Sequence, residues 1–567
     1  MENGNAAGIR YHICFFIIWA AQMAAAFYFC VQKQGFHEDE YYTYYSTART
    51  NGFYVEDGEW MDRDVYRDEF VVLPGQRFQY GFVKQVQSWD VHPPMYYWIF
   101  HTVASLVPGV FSKWIGLSVN LFFFGINIFL LTYLSYLVGG RNAGLAFLVA
   151  IFAGLSPAAM SGVVFIRMYE MLTTTVLVCS ILHVRAMGIK EDKLPVLKCL
   201  LPMAAVTYIG FLSQYYYFIF LFYLAAAFAL WLLWRDKNIG NCLRYGVCQG
   251  GAFVLAYLTY PSCLGQMFRG QRGAQATENF FDMSNTVQRL RFFWGLLDTY
   301  VFGNMLPAFL LVVLVLAVTA HRQRSAQRMR RIKQGTQPEI DSGEATVCEE
   351  EQGGFGAAFW MLVFATLGYF VTVSKTALLL GDTSNRYQLP VYGIIVLLVF
   401  QAIWGLWKRV VFSSDGKCFD RGERTGKWIK SAWTVCALVC LVIDGAGLMS
   451  GKTVFLYPEE REQIVYAEKM AQQGVPVVYL YETGAEWCIW DVANELFVHP
   501  TVYFAAVQGD VPIADDRIRN ADELVVYMAK GADAGRQAER IFRSNPGLEE
   551  DSLVFEQKYC DVYYFSK

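Results

Sequence analysis

The chain is poor in charge. Asp, Glu, Lys and Arg make up 17% of its 567 residues, against about 25% in an ordinary soluble domain. That argues against a row of about four soluble domains at ~150 residues each. An excess of one sign is also missing: 47 basic residues face 50 acidic ones, for a net charge of -3. No polyanionic partner is expected, so nucleic acid is excluded, and so is a disordered, highly charged chain. The 13 cysteines are scattered and include no CxxC pair. This argues against a zinc ribbon and against a disulfide-dense secreted scaffold. No short-period repeat is visible.

What the chain does have is apolar surface in blocks. Hydrophobic residues reach 55% and aromatic residues 17%, a composition that suits aromatic belts at a membrane interface. An uncharged run of ~20 residues, rising ~1.5 Å each, crosses the hydrocarbon layer. Such runs lie near residues 11–31, 114–138, 142–164, 170–188, 195–212, 216–234, 243–261, 303–320, 355–374, 388–406 and 431–449. They predict about eleven transmembrane helices. The first run is too long for a cleaved signal peptide and reads as a retained anchor.

The segment Pro93–Val110 (PPMYYWIFHTVASLVPGV) is apolar but holds His101 and ends in Pro-Gly. If it does not span, the basic groups fall on the side of the N-terminus. These are Arg141, Arg185, Lys190, Lys193, Lys198, Arg235, Lys237, Arg244, the run HRQRSAQRMRRIK at 321–333, and the stretch Lys408–Lys430. The positive-inside rule makes that side cytoplasmic. We therefore read 93–110 as an interfacial helix on the outer face, started by its prolines.

The expected fold is a mainly α-helical polytopic membrane protein, residues 1–450, with a small C-terminal extracytoplasmic α/β domain, 451–567. It is placed in the plasma membrane with the N-terminus cytoplasmic. Loop 32–113, a loop near 262–302 and the tail lie outside. Residues 321–353, basic and then acidic, read as a solvated cytoplasmic linker. The tail alternates helices (PEEREQIVYAEKMAQQ, WCIWDVANELF, DAGRQAERIFRS) with strands (VPVVYLY, TVYFAAV, ELVVYMAK) and closes on a hairpin. That order predicts a largely parallel sheet. The tail has no glycine-rich phosphate loop and no catalytic motif. Cys488 and Cys560 share it and are a candidate disulfide pair.

Ionisable groups at the ends of spans are costly unless used or solvated. Four clusters stand at the outer boundary of this topology: Glu38-Asp39-Glu40 after the first span; Asp90-Val91-His92-Pro93-Pro94 before the interfacial helix; Arg167-Met168-Tyr169-Glu170 in a short turn; and Arg386-Tyr387 with Pro390 at a late span. Each has a plain reading as well: helix exit, helix cap, structural ion pair, interface anchor. Arg269 and Arg272 lie in an external loop, against the positive-inside trend, and suit a lipid phosphate.

In this order the motifs resemble the membrane glycosyltransferases of the GT-C class, and most closely the protein O-mannosyltransferase-like group (family 39) with its bacterial aminoarabinose-transferase relatives. The resemblance covers about residues 9–450. Gln214-Tyr215-Tyr216-Tyr217 looks like the family's His-Tyr-Tyr element with glutamine for histidine, and Glu170 stands where some relatives carry aspartate. The resemblance implies a polyprenyl-phosphate-linked sugar as donor and inverting transfer on the outer face. By motif position it makes Asp39 the general base, with Glu40 as runner-up.

An acceptor hydroxyl needs a carboxylate to take its proton. The departing lipid phosphate needs fixed positive charge, from Arg386, Arg269 or Arg272. A divalent cation (Mg, Mn or Zn) held by Asp90, His92 or Glu170 is the alternative. Adjacent carboxylates are expected to raise the pKa of the base. Asp90, His92, Arg167, Tyr169, Glu170 and Tyr387 complete the candidate substrate-binding set. Acceptors of the class are protein, glycolipid or cell-wall polymer. The competing functions are a transporter or lipid flippase, and an inactive receptor or scaffold built on the tail.

Overall fold

The structure, a computed structural model, describes residues 2–48, 55–237, 239–333, 355–412, 423–509 and 512–567. Nine of its helices are long and apolar enough to cross a membrane, and a bent pair makes a tenth candidate. That pair, Ala143–Gly154 and Pro157–Val164, turns by 59°. The sequence explains the break. Ser156 Oγ accepts from the Ala159 N–H and so caps a new helix, whose first residue is Pro157. Proline at that position loses no needed donor. The bend delivers Phe165, Ile166 and Arg167 to one end of the bundle.

Gly240–Thr259 has 20 residues, enough to span at ~1.5 Å each. It carries Asn241, Arg244 and Gln249, which lower its apolarity. At its start Asn241 Nδ2 donates to Asp192 O and to Asp236. Just past its end Gln266 Nε2 donates to Gln87 O and Asp90 O. The helix thus runs from one end of the bundle to the other but is not apolar enough to count as a candidate span, so the described residues offer nine or ten spans where about eleven were expected. The interfacial segment is the helix Met95–Leu106, 12 residues long. At about 18 Å it is too short to span. The linker 321–353 begins as the continuation of the helix Leu306–Lys333; its residues 334–353 lie outside the described residues, as does 413–422 of the second basic stretch.

The tail holds a six-stranded sheet: β1 (Glu59–Asp62), β2 (Val477–Tyr481), β3 (Thr501–Ala506), β4 (Glu523–Ala529), β5 (Glu549–Glu556) and β6 (Cys560–Ser566), in the order β1-β3-β2-β4-β6-β5. The expectation of a largely parallel sheet is corrected. β2 pairs in parallel with β3 and β4, whereas β1–β3, β4–β6 and β5–β6 are antiparallel. Two physical causes are clear. The closing hairpin must run antiparallel, and β1 comes from the loop 32–113, which adds a strand to the sheet edge. Five of the strands belong to the tail, so that loop is tied to it. The disulfide expectation is also corrected: Cys488 and Cys560 are free thiols, and Cys560 Sγ meets Gln557 Oε1 at 3.6 Å.

Candidate active site

Helix α1 (Glu2–Gln32) ends at the membrane boundary, and after a five-residue turn α2 (Glu38–Ala48) begins. Its first turn carries Glu38, Asp39 and Glu40, where the helix dipole favours negative charge. Successive residues on a helix point ~100° apart, so the three carboxylates reach three different partners.

Glu40 faces inward. One oxygen accepts from Lys33 Nζ at 2.9 Å and from the His37 N–H at 2.6 Å. The other accepts from the Ile166 N–H at 2.6 Å. Lys33 also donates to Phe455 O at 2.7 Å, and both ends of this ion pair are fully buried. Glu38 faces the tail: its Oε2 accepts from Lys558 Nζ at 2.7 Å and from the Tyr559 hydroxyl.

Asp39 faces the arginines. Arg386 Nη2 lies 3.1 Å from Asp39 Oδ2. Arg167 Nη1 donates to the Asp39 carbonyl at 2.9 Å and to Thr43 Oγ1 at 3.2 Å. The Asp39 side chain stays 29% exposed, against 4% for Arg386. Burial pushes the Asp39 pKa up, but Arg386 first and Arg167 next outweigh it and hold the carboxyl well below the usual range. The expectation that neighbouring carboxylates raise it is thereby corrected, because the guanidiniums are the nearer charges. His37 Nδ1 accepts from the Asp39 N–H at 3.1 Å, and burial pushes that imidazole down to about 4.

The second motif joins the first through Arg167. Arg167 Nη2 donates to His92 Nε2 at 3.3 Å, while His92 Nδ1 sits 3.0 Å from Asp90 Oδ2. The late motif supplies Arg386, which stacks over the Phe165 and Tyr387 rings and donates to the Tyr387 hydroxyl at 3.2 Å. Its Nε and Nη1 have no acceptor among the described residues although the side chain is buried. Tyr387 meets Tyr169 and Tyr216 edge to face, making an aromatic wall beside the guanidinium.

Other expected residues fall elsewhere. Glu170 points into the bundle and accepts from Asn127 Nδ2 at 2.8 Å, beside a cavity of about 60 Å³ that both residues line. Arg269 and Arg272 are exposed on the loop near 262–302 and, among the described residues, make no hydrogen bond or ion pair with the cluster. Gln214 Oε1 takes the neighbouring Tyr215 N–H. The cation expectation finds no fitting donor set: Glu170 is turned away, Asp90 and His92 already bond each other, and Arg167 brings positive charge against them. Among the described residues no three His, Cys, Asp or Glu gather as a metal site. Sequence reasoning missed Lys33, Thr43, Lys558 and Tyr559. Only Lys33, a lone lysine at the end of a span, carried a local signal.

No family model matches the chain, and no curated protein matches it. Among solved structures it is similar to ArnT from Cupriavidus metallidurans bound to undecaprenyl phosphate, with 12% identity and a TM-score of 0.47 over 99% of this chain and 98% of that one. It is similar to the apo state of the same protein at 13% identity and a TM-score of 0.47, with the same coverage.

Proposed function

We propose that the protein is an integral membrane glycosyltransferase. It moves a sugar from a polyprenyl-phosphate carrier to an acceptor hydroxyl on the outer face, with inversion. The observation that carries this reading is the Asp39–Arg386 pair: a buried guanidinium ion-paired with a carboxylate through Nη2 and with two donors left over. Nε and Nη1 suit paired hydrogen bonds to a phosphate, the geometry arginine offers better than lysine. The motif order of a GT-C enzyme supports the same assignment.

The roles then follow. The carrier phosphate takes the free edge of Arg386, which stabilises the negative charge that grows as the glycosidic bond breaks. Asp39, held ionised, accepts the proton of the acceptor hydroxyl as that oxygen attacks the anomeric carbon. Paired with Arg386 it is a weak base. A phosphate that shares the guanidinium lowers the positive charge Asp39 feels and makes it a stronger one. Glu40 has no free lone pair directed outward and holds the turn instead. Arg167, His92 and Asp90 form the polar wall beside Asp39, and Tyr169 and Tyr387 the aromatic one. Arg269 and Arg272 stand on the approach as secondary phosphate contacts. The outer-face assignment rests on the basic loops at the opposite end of the bundle.

A flippase keeps its polar site near the membrane centre, whereas this cluster sits at one end. The test is to give the full chain, in nanodiscs, a panel of polyprenyl-phosphate sugars and follow release of free carrier phosphate. Release from at least one donor supports the reading. Flux of lipid-linked sugar across sealed vesicles, without release from any donor, would replace it with transport.

A further inference from the structure

The tail reaches the site at more than one point: Phe455 O accepts from Lys33, and the hairpin tip meets Glu38. Gln557–Cys560 is the tip of the β5–β6 hairpin, and there Lys558 and Tyr559 both donate to Glu38. Lys558 Nζ lies 4.5 Å from the centre of the Tyr559 ring, and Trp487 closes on that ring at 5.1 Å. Another tail residue, Trp490, packs on the side of α2 at 4.7 Å from Tyr42 and 4.9 Å from Tyr45. The first turn of α2 is therefore fixed by three separate parts of the chain. Lys33 holds Glu40, the arginines hold Asp39, and among the described residues the side-chain partners of Glu38 are Lys558 and Tyr559 of the hairpin tip. The first two holds come from the membrane part. The third comes from 520 residues away.

We propose that Lys558 and Tyr559 are positioning residues for the transfer reaction: by gripping Glu38 they set where the Asp39 carboxylate points. The Cα atoms of Glu38 and Asp39 are ~3.8 Å apart, so a shift of the first is passed to the second. A misplacement of ~1 Å can cost ~100-fold in rate. Among the described residues the donor-side groups Arg386, Tyr387 and Tyr169 share no hydrogen bond, ion pair or ring contact with the hairpin tip, so loss of the grip acts on proton transfer and leaves carrier binding alone. The tail thereby becomes part of the catalytic frame. The functional side of this proposal rests on the glycosyltransferase reading.

The test compares the full chain with Lys558→Ala/Tyr559→Phe and with Lys558→Arg, in nanodiscs. Three quantities are read: kcat for carrier release, affinity for undecaprenyl phosphate, and hydrogen exchange of the amides at 37–42. The expected result for the double variant is a fall in kcat of about tenfold or more, carrier affinity within about twofold and faster exchange at 37–42, with Lys558→Arg close to wild type. An unchanged kcat in the double variant would overturn the proposal. So would loss of carrier affinity together with kcat, which marks general structural damage. If the wild-type chain releases no carrier from any donor, the enzyme reading fails separately. The grip is then judged by exchange alone, and unchanged protection at 37–42 would overturn it.

Discussion

Replacing Arg386 by glutamine removes the charge that holds Asp39 ionised. With unit charges 3.1 Å apart and an effective dielectric of ~20, the attraction is about 5 kcal/mol. Asp39 is partly open to solvent, so roughly half of that is retained, which corresponds to ~2 pKa units. Burial pushes in the same upward direction once Arg386 is gone, while Arg167 still pulls down. The sign is definite. A carboxyl with a depressed pKa stays ionised to low pH, and Arg386→Gln moves its titration up toward the working range. The assay is the pH dependence of kcat/KM for carrier release. The wild type should show no acid limb from this group in the ordinary carboxylate range, whereas in Arg386→Gln the limb should move up by about two units, toward that range, on top of weaker carrier binding. Arg386→Lys keeps the charge and should keep the wild-type limb while losing affinity. An Arg386→Gln profile that is lower but parallel to the wild type would refute the electrostatic argument.

Other consequences are independent of the chemistry. Lys33→Met leaves the Glu40 carboxylate buried and unpaired; this should cost about 3–5 kcal/mol, read as a lower unfolding temperature in nanodiscs. Burial pushes Glu460 up to about 9, with Lys33 opposing and Asp491, Glu495 and Glu40 adding to it. Between the ordinary carboxylate range and pH 9 the folded state keeps a proton that the unfolded state has lost. Stability should therefore fall as pH rises through that window, by up to ~1.4 kcal/mol per unit. Glu460→Gln should flatten this dependence and raise the unfolding temperature at pH 8 but not at pH 5. The Glu460 carboxyl lies against Gly35 where a Cβ would stand; Gly35→Ala should destabilise by about 1–3 kcal/mol, and Glu460→Ala in the same chain should restore most of the loss.

The membrane passages were legible because lipid demands long apolar runs, which show in one dimension. The short helix after His92-Pro93-Pro94 was legible for the same reason, since its apolar run breaks too early. The tail's elements could be read from their alternation, but not the sense of the sheet. β1 is four residues, Glu-Trp-Met-Asp, with nothing in its pattern to mark it as an edge partner for residues 501–504. Within the site, Asp39, Arg167, His92, Asp90, Arg386 and Tyr387 gather as their motif order suggests. The consecutive carboxylates could not be told apart beforehand, because a ~100° step per residue sends each to a different neighbour. Glu170 turns inward for the same reason, one residue after Tyr169. Lys33 to Phe455 and Lys558 to Glu38 join positions 422 and 520 residues apart, and no local pattern announces such pairs.

The most direct measurement sets purified Asp39→Asn beside the wild type on one polyprenyl-phosphate sugar that the wild type consumes. Carrier release and carrier-phosphate affinity are followed in the same preparation. The account predicts that release falls by about three orders of magnitude or more, as loss of a general base requires, while affinity for the carrier phosphate holds or rises because Arg386 loses a competing anion. Release at the wild-type rate from Asp39→Asn would contradict it.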